Sequence, residues 1–428
     1  MTSDARPPSA AHGFRARVLD VATFREIALE IQRTDSDPEG VGIMTRKARI
    51  FPVRLEGVSL KASPILKQEM LSVGGDAAHA KGVADHSVTQ SDVVLLATLG
   101  QYRRALPKLR RQPFRLSPLA DAIESALRHF TATAPRTVRG TRRSLTVGER
   151  TVVMGVVNVT PDSFSDGGRY FELAAAVARV HELVGEGAGW IDIGGESTRP
   201  GAKAVDEAEE WRRVGPVLEA VGRSLEVPIS IDTRHPSVAA KAIAAGADFV
   251  NDVGGLRLPE MRRVVHESGA GAIAMHMRGD PTTMQSDLSY SDLRSEVFAG
   301  LSNATASAIA EGIGEDRLLV DPGLGFGKSP EQNLELLRHL REFRSLGVPI
   351  VVGASRKSFL GWAIGGAPPE DRTEAGLAAA VLAAEHGADI VRVHDVAPAV
   401  RALRFADAVG RAGLSRPTVD EETVGPPE

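Results

Sequence analysis

Val153-Met-Gly-Val-Val-Asn-Val-Thr-Pro-Asp-Ser-Phe-Ser-Asp-Gly-Gly168 and Trp190-Ile-Asp-Ile-Gly-Gly-Glu-Ser-Thr-Arg-Pro-Gly201 share one layout. Each is a short apolar strand that runs into a polar, glycine-rich loop bearing groups suited to anions or metal. Parallel α/β enzymes build their active sites this way, at the C-terminal ends of strands. Working outward, the same rhythm predicts strands ending near Asn158, Asp192, Asp232, Asn251, His276, Asp321, Gly353 and His394. Runs such as Leu318-Leu-Val-Asp321 and Ile390-Val-Arg-Val-His394 are apolar on both faces, as buried parallel strands are. Helical patterns fill the gaps over residues 172–187, 204–221, 237–246, 261–268, 290–312, 330–346 and 374–387, several stopped by Gly. Eight β/α units predict a (β/α)8 TIM barrel; a doubly wound sheet is the alternative, but it would not place a polar residue at the end of every strand.

At 428 residues the chain exceeds one barrel, so a second domain is expected. The expected division is a disordered N-terminus over 1–14, a small α/β domain over 15–130, a linker over 131–137, the barrel with an N-terminal hairpin over 138–412, and a disordered tail over 413–428. In the first domain, residues 41–58 and 93–98 read as strands, and 63–73 and 119–130 as helices. The net charge of −4 gives no general case for nucleic acid or an anionic membrane. With no cysteine, disulfides and thiolate metal sites are excluded. No apolar run approaches a membrane span, and residues 1–8 lack the apolar core of a signal peptide, so a soluble cytoplasmic protein is expected. Between Val93 and Ala120 six basic residues (Arg103, Arg104, Lys108, Arg110, Arg111 and Arg115) stand with no acidic one. The first reading is a solvated helix face; the second is a patch for an anionic partner.

Further motifs follow in order down the chain: Ser230-Ile-Asp-Thr233, Asn251-Asp-Val, Met275-His-Met-Arg-Gly279, Asp321-Pro-Gly-Leu-Gly-Phe-Gly-Lys328, Ser355-Arg-Lys-Ser358 and Arg392-Val-His-Asp395. With the two opening stretches they make residues 150–410 resemble dihydropteroate synthase. The first 130 residues resemble an extension that only some members carry. The resemblance implies condensation of a dihydropterin methyl diphosphate with p-aminobenzoate, with release of diphosphate, by an SN1-like path.

The residues suit that chemistry. A pterin ring presents an amino group beside a ring N–H, and a carboxylate accepts both in a fork. Asp321 is the first candidate for this contact and Asp232 the second acceptor. Asn251 can both donate and accept, and Lys357 can donate to a ring oxygen or nitrogen. The family uses all four positions for pterin. A lone buried Asp is more often a cap or half of an ion pair; three polar residues on separate strand ends of one barrel make a site. Arg199, Arg392 and His394 are the expected diphosphate partners, since a guanidinium fork matches phosphate oxygens. The two-residue spacing puts Arg392 and His394 on one strand face. Thr198 is expected near both substrates. The arylamine pocket is assigned to Phe164, Thr198, Pro200, Phe326 and Ser355. Asp166, on a loop over 160–168 read as a lid, is a candidate for cation stabilisation; a plain turn Asp is the other reading. The resemblance implies Mg²⁺ on Asn158, with no carboxylate cage, and a homodimer. Gly323, Gly325 and Gly327 read as a close backbone approach rather than a phosphate loop. A pterin-dependent methyltransferase and a non-catalytic pterin-binding protein are the other functions weighed; the first has no need of 355–358 or of Arg392 with His394.

Overall fold

The computed structural model describes residues 16–21, 23–159, 169–196 and 205–411. They form two compact units, divided after Glu124.

In the N-terminal unit, α1 (Phe24–Gln32) and α2 (Pro38–Thr45) precede β1 (Ile50–Ser59), α3 (Ala62–Ser72), β2 (Asp76–His79), β3 (Gln90–Thr98), α4 (Leu99–Leu109) and α5 (Leu116–Thr131). The strands make an antiparallel sheet in the order β1-β3-β2. Strict alternation in β3 buries Val93, Leu95 and Ala97, and α3 and α4, which pack on this strand, bury Leu66, Met70, Tyr102 and Leu106. Residues 41–45, expected as strand, are helical. Asp37 accepts the N–H groups of Glu39 and Gly40, and Pro38 sits in the first turn, so α2 starts there and the strand waits until Ile50. The basic run lies on α4 and the turn after it. There Arg104 donates to the Val73 carbonyl, Lys108 to Ser72, and Arg110 pairs with Asp121 and Glu124, which is the structure of a solvated face. The division between units falls inside α5, upstream of the expected 131–137 linker, because the last turn of α5 belongs to the second unit. Arg341 stacks over Phe130, and Arg344 donates to the Ala132 carbonyl.

The second unit opens with a hairpin, β4 (Arg136–Arg139) and β5 (Ser144–Val147). Then come β6 (Val152–Asn158), α6 (Arg169–Gly185), β7 (Trp190–Gly194), α7 (Glu207–Val221), β8 (Ile229–Asp232), α8 (Pro236–Ala245), β9 (Phe249–Asp252), α9 (Pro259–Ser268), β10 (Gly271–Met275), α10 (Leu293–Ala310), β11 (Leu318–Asp321), α11 (Pro330–Arg338), β12 (Val351–Val352), α12 (Ser358–Ala363), α13 (Thr373–Glu385), β13 (Ile390–Val393) and α14 (Val396–Arg411). Strands β6 to β13 pair in parallel in the order β11-β10-β9-β8-β7-β6-β13-β12, and a parallel bridge between Val320 and Ile350 joins the two ends. This is the expected (β/α)8 barrel. The helix expected over 330–346 stops at Arg338 and continues as a 3-10 segment, Leu340–Leu346. Helices α12 and α14 were not foreseen.

The strand period of two sorts the barrel interior into layers. Val152, Trp190, Phe249, Ile273, Leu319, Val351 and Ile390 fill the floor, and Val138 and Val147 of the hairpin plug it from below. Two residues further along their strands stand Asp192, Asn251, Asp321 and Arg392. The outward residues between, among them Ile191, Val250, Val320 and Val391, pack on the helices. The barrel is therefore dry at its base and polar one layer up. Trp190 joins the layers: its ring lies 4.3 Å from that of Phe249, and its indole N–H donates to Ser230 Oγ at 3.0 Å. Trp190→Ala is expected to cost about 3–5 kcal/mol of unfolding free energy, measured by urea denaturation, because the floor cannot collapse into the space left.

Candidate active site

The polar layer is organised around one guanidinium. Arg392 Nε donates to Asp192 Oδ2 at 2.6 Å, and its Nη2 donates to Asp232 Oδ2 at 2.7 Å. Asp192 also accepts from Ser230 Oγ at 2.5 Å and from Asn251 Nδ2 at 3.2 Å, so both its oxygens are engaged within the protein. Asn251, with its nitrogen committed below, has its oxygen to offer a ligand. Asp232 keeps Oδ1 buried and without a partner, and burial raises its pKa despite Arg392. An orphaned carboxylate oxygen at the mouth of a barrel is a ready acceptor for ligand N–H groups.

Asp321 is also buried, and burial raises its pKa while Lys357 opposes the shift. Its Oδ1 accepts the Gly323 N–H at 2.7 Å. Lys357 Nζ donates to the Leu324 carbonyl and lies 4.5 Å over the Phe326 ring. Desolvation brings the Lys357 pKa down to about 8. Ser355 Oγ sits 3.0 Å from His394 Nδ1. Asn158 stands half-buried at the end of β6, paired with Gly194.

The structure thus brings Asp232, Asn251, Asp321, Lys357 and Arg392 to one end of the barrel, with Phe326 on Lys357, and joins Ser355 to His394. Arg392, expected on phosphate, bridges the two carboxylates Asp192 and Asp232. Phe164, Asp166, Thr198, Arg199 and Pro200 lie outside the described residues. Asn158 supplies a single amide oxygen, and no group of three or more His, Asp or Glu side chains among the described residues could hold a metal. Such a donor set fits a Mg²⁺ that keeps its waters and takes its remaining ligands from phosphate.

Sequence reasoning missed Asp192. Its signal was present: it is the one polar residue in Trp190-Ile-Asp-Ile193, two residues past a floor tryptophan. It is fully buried, and removing its charge leaves Arg392 with Asp232 as its one hydrogen-bonded carboxylate. Asp192→Asn is expected to lower unfolding free energy by roughly 3–5 kcal/mol, the usual cost of breaking a buried ion pair from one side. A loss below about 1 kcal/mol would show that Asp232 alone suffices for Arg392.

The profile of the pterin binding enzyme family matches residues 154–394, more than half of the chain. A probable bifunctional folylpolyglutamate synthase/dihydropteroate synthase of Halobacterium salinarum is 43% identical over 391 residues, 91% of this chain and 46% of that protein. The chain therefore spans a little under half of that relative, and the match takes in most of the N-terminal unit. The dihydropteroate synthase of Synechocystis sp. is 45% identical over 265 residues, 62% of this chain and 92% of that protein. Among solved structures, Xanthomonas albilineans dihydropteroate synthase with 4-aminobenzoic acid superposes with a TM-score of 0.62 at 44% identity, covering 66% of this chain and all of that one. With the family profile matched across the barrel and such identity to nearly the full length of a synthase, the chain belongs to the dihydropteroate synthase family of pterin binding enzymes.

Proposed function

We propose that this chain joins (7,8-dihydropterin-6-yl)methyl diphosphate to p-aminobenzoate, giving 7,8-dihydropteroate and diphosphate, a step of folate biosynthesis. The observation that carries the reading is the buried constellation of Asp232, Asn251 and Asp321 with Lys357 and Arg392 at the strand ends. Its acceptors match the amino and N–H edge of a pterin, and its cations match the heterocycle's oxygen and the departing phosphate. The 4-aminobenzoic acid of the Xanthomonas complex supports the second substrate.

Asp321 takes the pterin fork, Asp232 Oδ1 and the Asn251 oxygen accept the remaining N–H groups, and Lys357 donates to the ring. Arg392 and His394, with Arg199, hold the diphosphate. Mg²⁺, held by Asn158 when bound, supplies charge neutralisation for the leaving group. The C–O bond to diphosphate breaks with its electron pair leaving on oxygen, and the electron-rich pterin stabilises the methylene cation, with Asp166 beside it. The arylamine nitrogen then forms the new C–N bond and releases a proton. Phe164, Thr198, Pro200, Phe326 and Ser355 shape the arylamine pocket. No covalent enzyme intermediate is needed. No helix among the described residues is long and apolar enough to cross a membrane; a cytoplasmic location suits the reaction. A homodimer is supported by Leu382 on α13 and Phe405 and Val409 on α14, large apolar side chains exposed on two helices that pack together.

The test is product formation by the purified chain with both substrates and Mg²⁺, read as diphosphate released one-for-one with dihydropteroate. Release without dihydropteroate would mean another amine acceptor, and pterin binding with no release would favour a methyltransferase or a non-catalytic protein. Asp321→Asn is expected to weaken pterin binding about 100-fold in calorimetry, since a buried charge-assisted fork is lost. Pterin affinity is also expected to fall as pH rises through about 8, where Lys357 gives up its proton. Lys357→Arg, whose charge persists, removes that alkaline decline if the assignment is right.

A further inference from the structure

The loop after Asp321 is wound around a lysine that none of the chemistry above employs. Lys328 is buried, 3% exposed. Its Nζ lies 3.0 Å from the Gly323 carbonyl, 2.9 Å from that of Phe326, 3.3 Å from that of His276 and 3.1 Å from His276 Nδ1. Two of these carbonyls come from the loop itself and one from the exit of the neighbouring strand β10. Carbonyls only accept, and three of them around one nitrogen require three N–H groups, which the ammonium has and the free amine lacks. Desolvation draws the Lys328 pKa down to about 7, with Asp321 opposing it, and lowers that of His276 to about 3, so the imidazole is neutral.

The backbone shows how much is arranged for this contact. Gly323, Gly325 and Gly327 all have positive φ (68°, 83° and 63°). A Cβ on Gly323 would stand 1.9 Å from the His276 oxygen, so only glycine lets the two chains approach closely enough to share one cation. The other polar groups of the loop are pinned from outside: Gly325 N–H by Asn333 Oδ1 at 2.6 Å, and the Gly327 carbonyl by the Tyr290 hydroxyl at 2.9 Å. The Leu324 carbonyl is the one that Lys357 holds. The glycines therefore serve to turn carbonyls onto two ammonium groups; they do not make a phosphate cradle, which would turn N–H groups outward.

We propose that Lys328 is a positioning residue whose buried ammonium templates the loop 321–328, so that Asp321 and Phe326 meet the two substrates in register. The proposal rests on the synthase reading for the substrates it names and for its activity assay, whereas the templating of the loop stands on the contacts of Lys328. The chain has no cysteine, so Lys328→Cys creates a unique thiol. That protein is alkylated in denaturant with bromoethylamine, which restores an ammonium at lysine's length, or with propyl iodide, which gives a neutral side chain of the same shape, and is then refolded. Wild type taken through the same cycle is the reference, and Lys328→Met expressed directly is the variant that needs no refolding. The S-propyl and Met proteins are expected to lose about 100-fold in kcat/KM, as a misplacement of about 1 Å would cause. They should also lose amide-exchange protection at 323–327. The S-aminoethyl protein should recover both. Equal activity and protection in the S-propyl and S-aminoethyl proteins would overturn the proposal, because packing alone would then suffice. If wild type turns nothing over, the synthase reading fails, and loop protection still decides the role of Lys328.

Discussion

Arg392 holds this barrel's polar layer together. Three carboxylates, Asp192, Asp232 and Asp321, are buried within one layer, which is costly without a counter-charge. Arg392 reaches from β13 to strands 200 and 160 residues earlier and satisfies the first two in one planar contact. That contact fixes which oxygen each acid has left. Asp192 has both oxygens engaged within the protein, whereas Asp232 keeps one oxygen bare. The Asn251 amide is oriented by the same carboxylate that orients the arginine. A single cation thus decides the direction of two ligand-facing groups, the Asp232 carboxylate and the Asn251 amide.

The other half of the layer is built differently. Around Asp321 the counter-charge comes from two lysines, each bound to backbone carbonyls of the loop that begins at that aspartate. The left-handed glycines supply the geometry and the ammonium groups supply the attraction. Desolvation weakens the hold of both lysines on their protons, and Asp321 restores part of it. The acid and the loop are mutually dependent, so this half can be tuned by small changes in backbone, whereas the Arg392 half cannot.

The barrel was legible because its period is short and repeated: brief apolar runs rich in Val and Ile, seven of the eight closed by a polar residue. Asp232 and Asp321 were legible for the same reason, each standing last on its strand, and Asn251 stands one residue before the end of β9. What could not be read depended on distance in sequence. Asp192 sits between two isoleucines and reads as a strand residue until Arg392 is placed beside it. Lys328 reads only as the end of a glycine-rich motif, and its partner His276 lies 52 residues earlier. Local chemistry misled at residues 41–45, where Val-Gly-Ile-Met resembles a strand while Asp37 and Pro38 begin a helix. The break of the 330–346 helix has a milder cause, a last turn that tightens into 3-10 geometry before Gly347.

The barrel's ring of strands is uneven. Strand β12 contributes only Val351 and Val352, and its link to β11 is the bridge at Val320 and Ile350, helped by the Val320 N–H on the Pro349 carbonyl. On its other side β12 pairs with β13 at two positions, while the remaining neighbours share three to five. The joint lies between the strands that lead to Asp321 and to Lys357. A cylinder with one thin stave yields there first, so slow opening of the barrel admits solvent between those two residues before it disturbs Arg392.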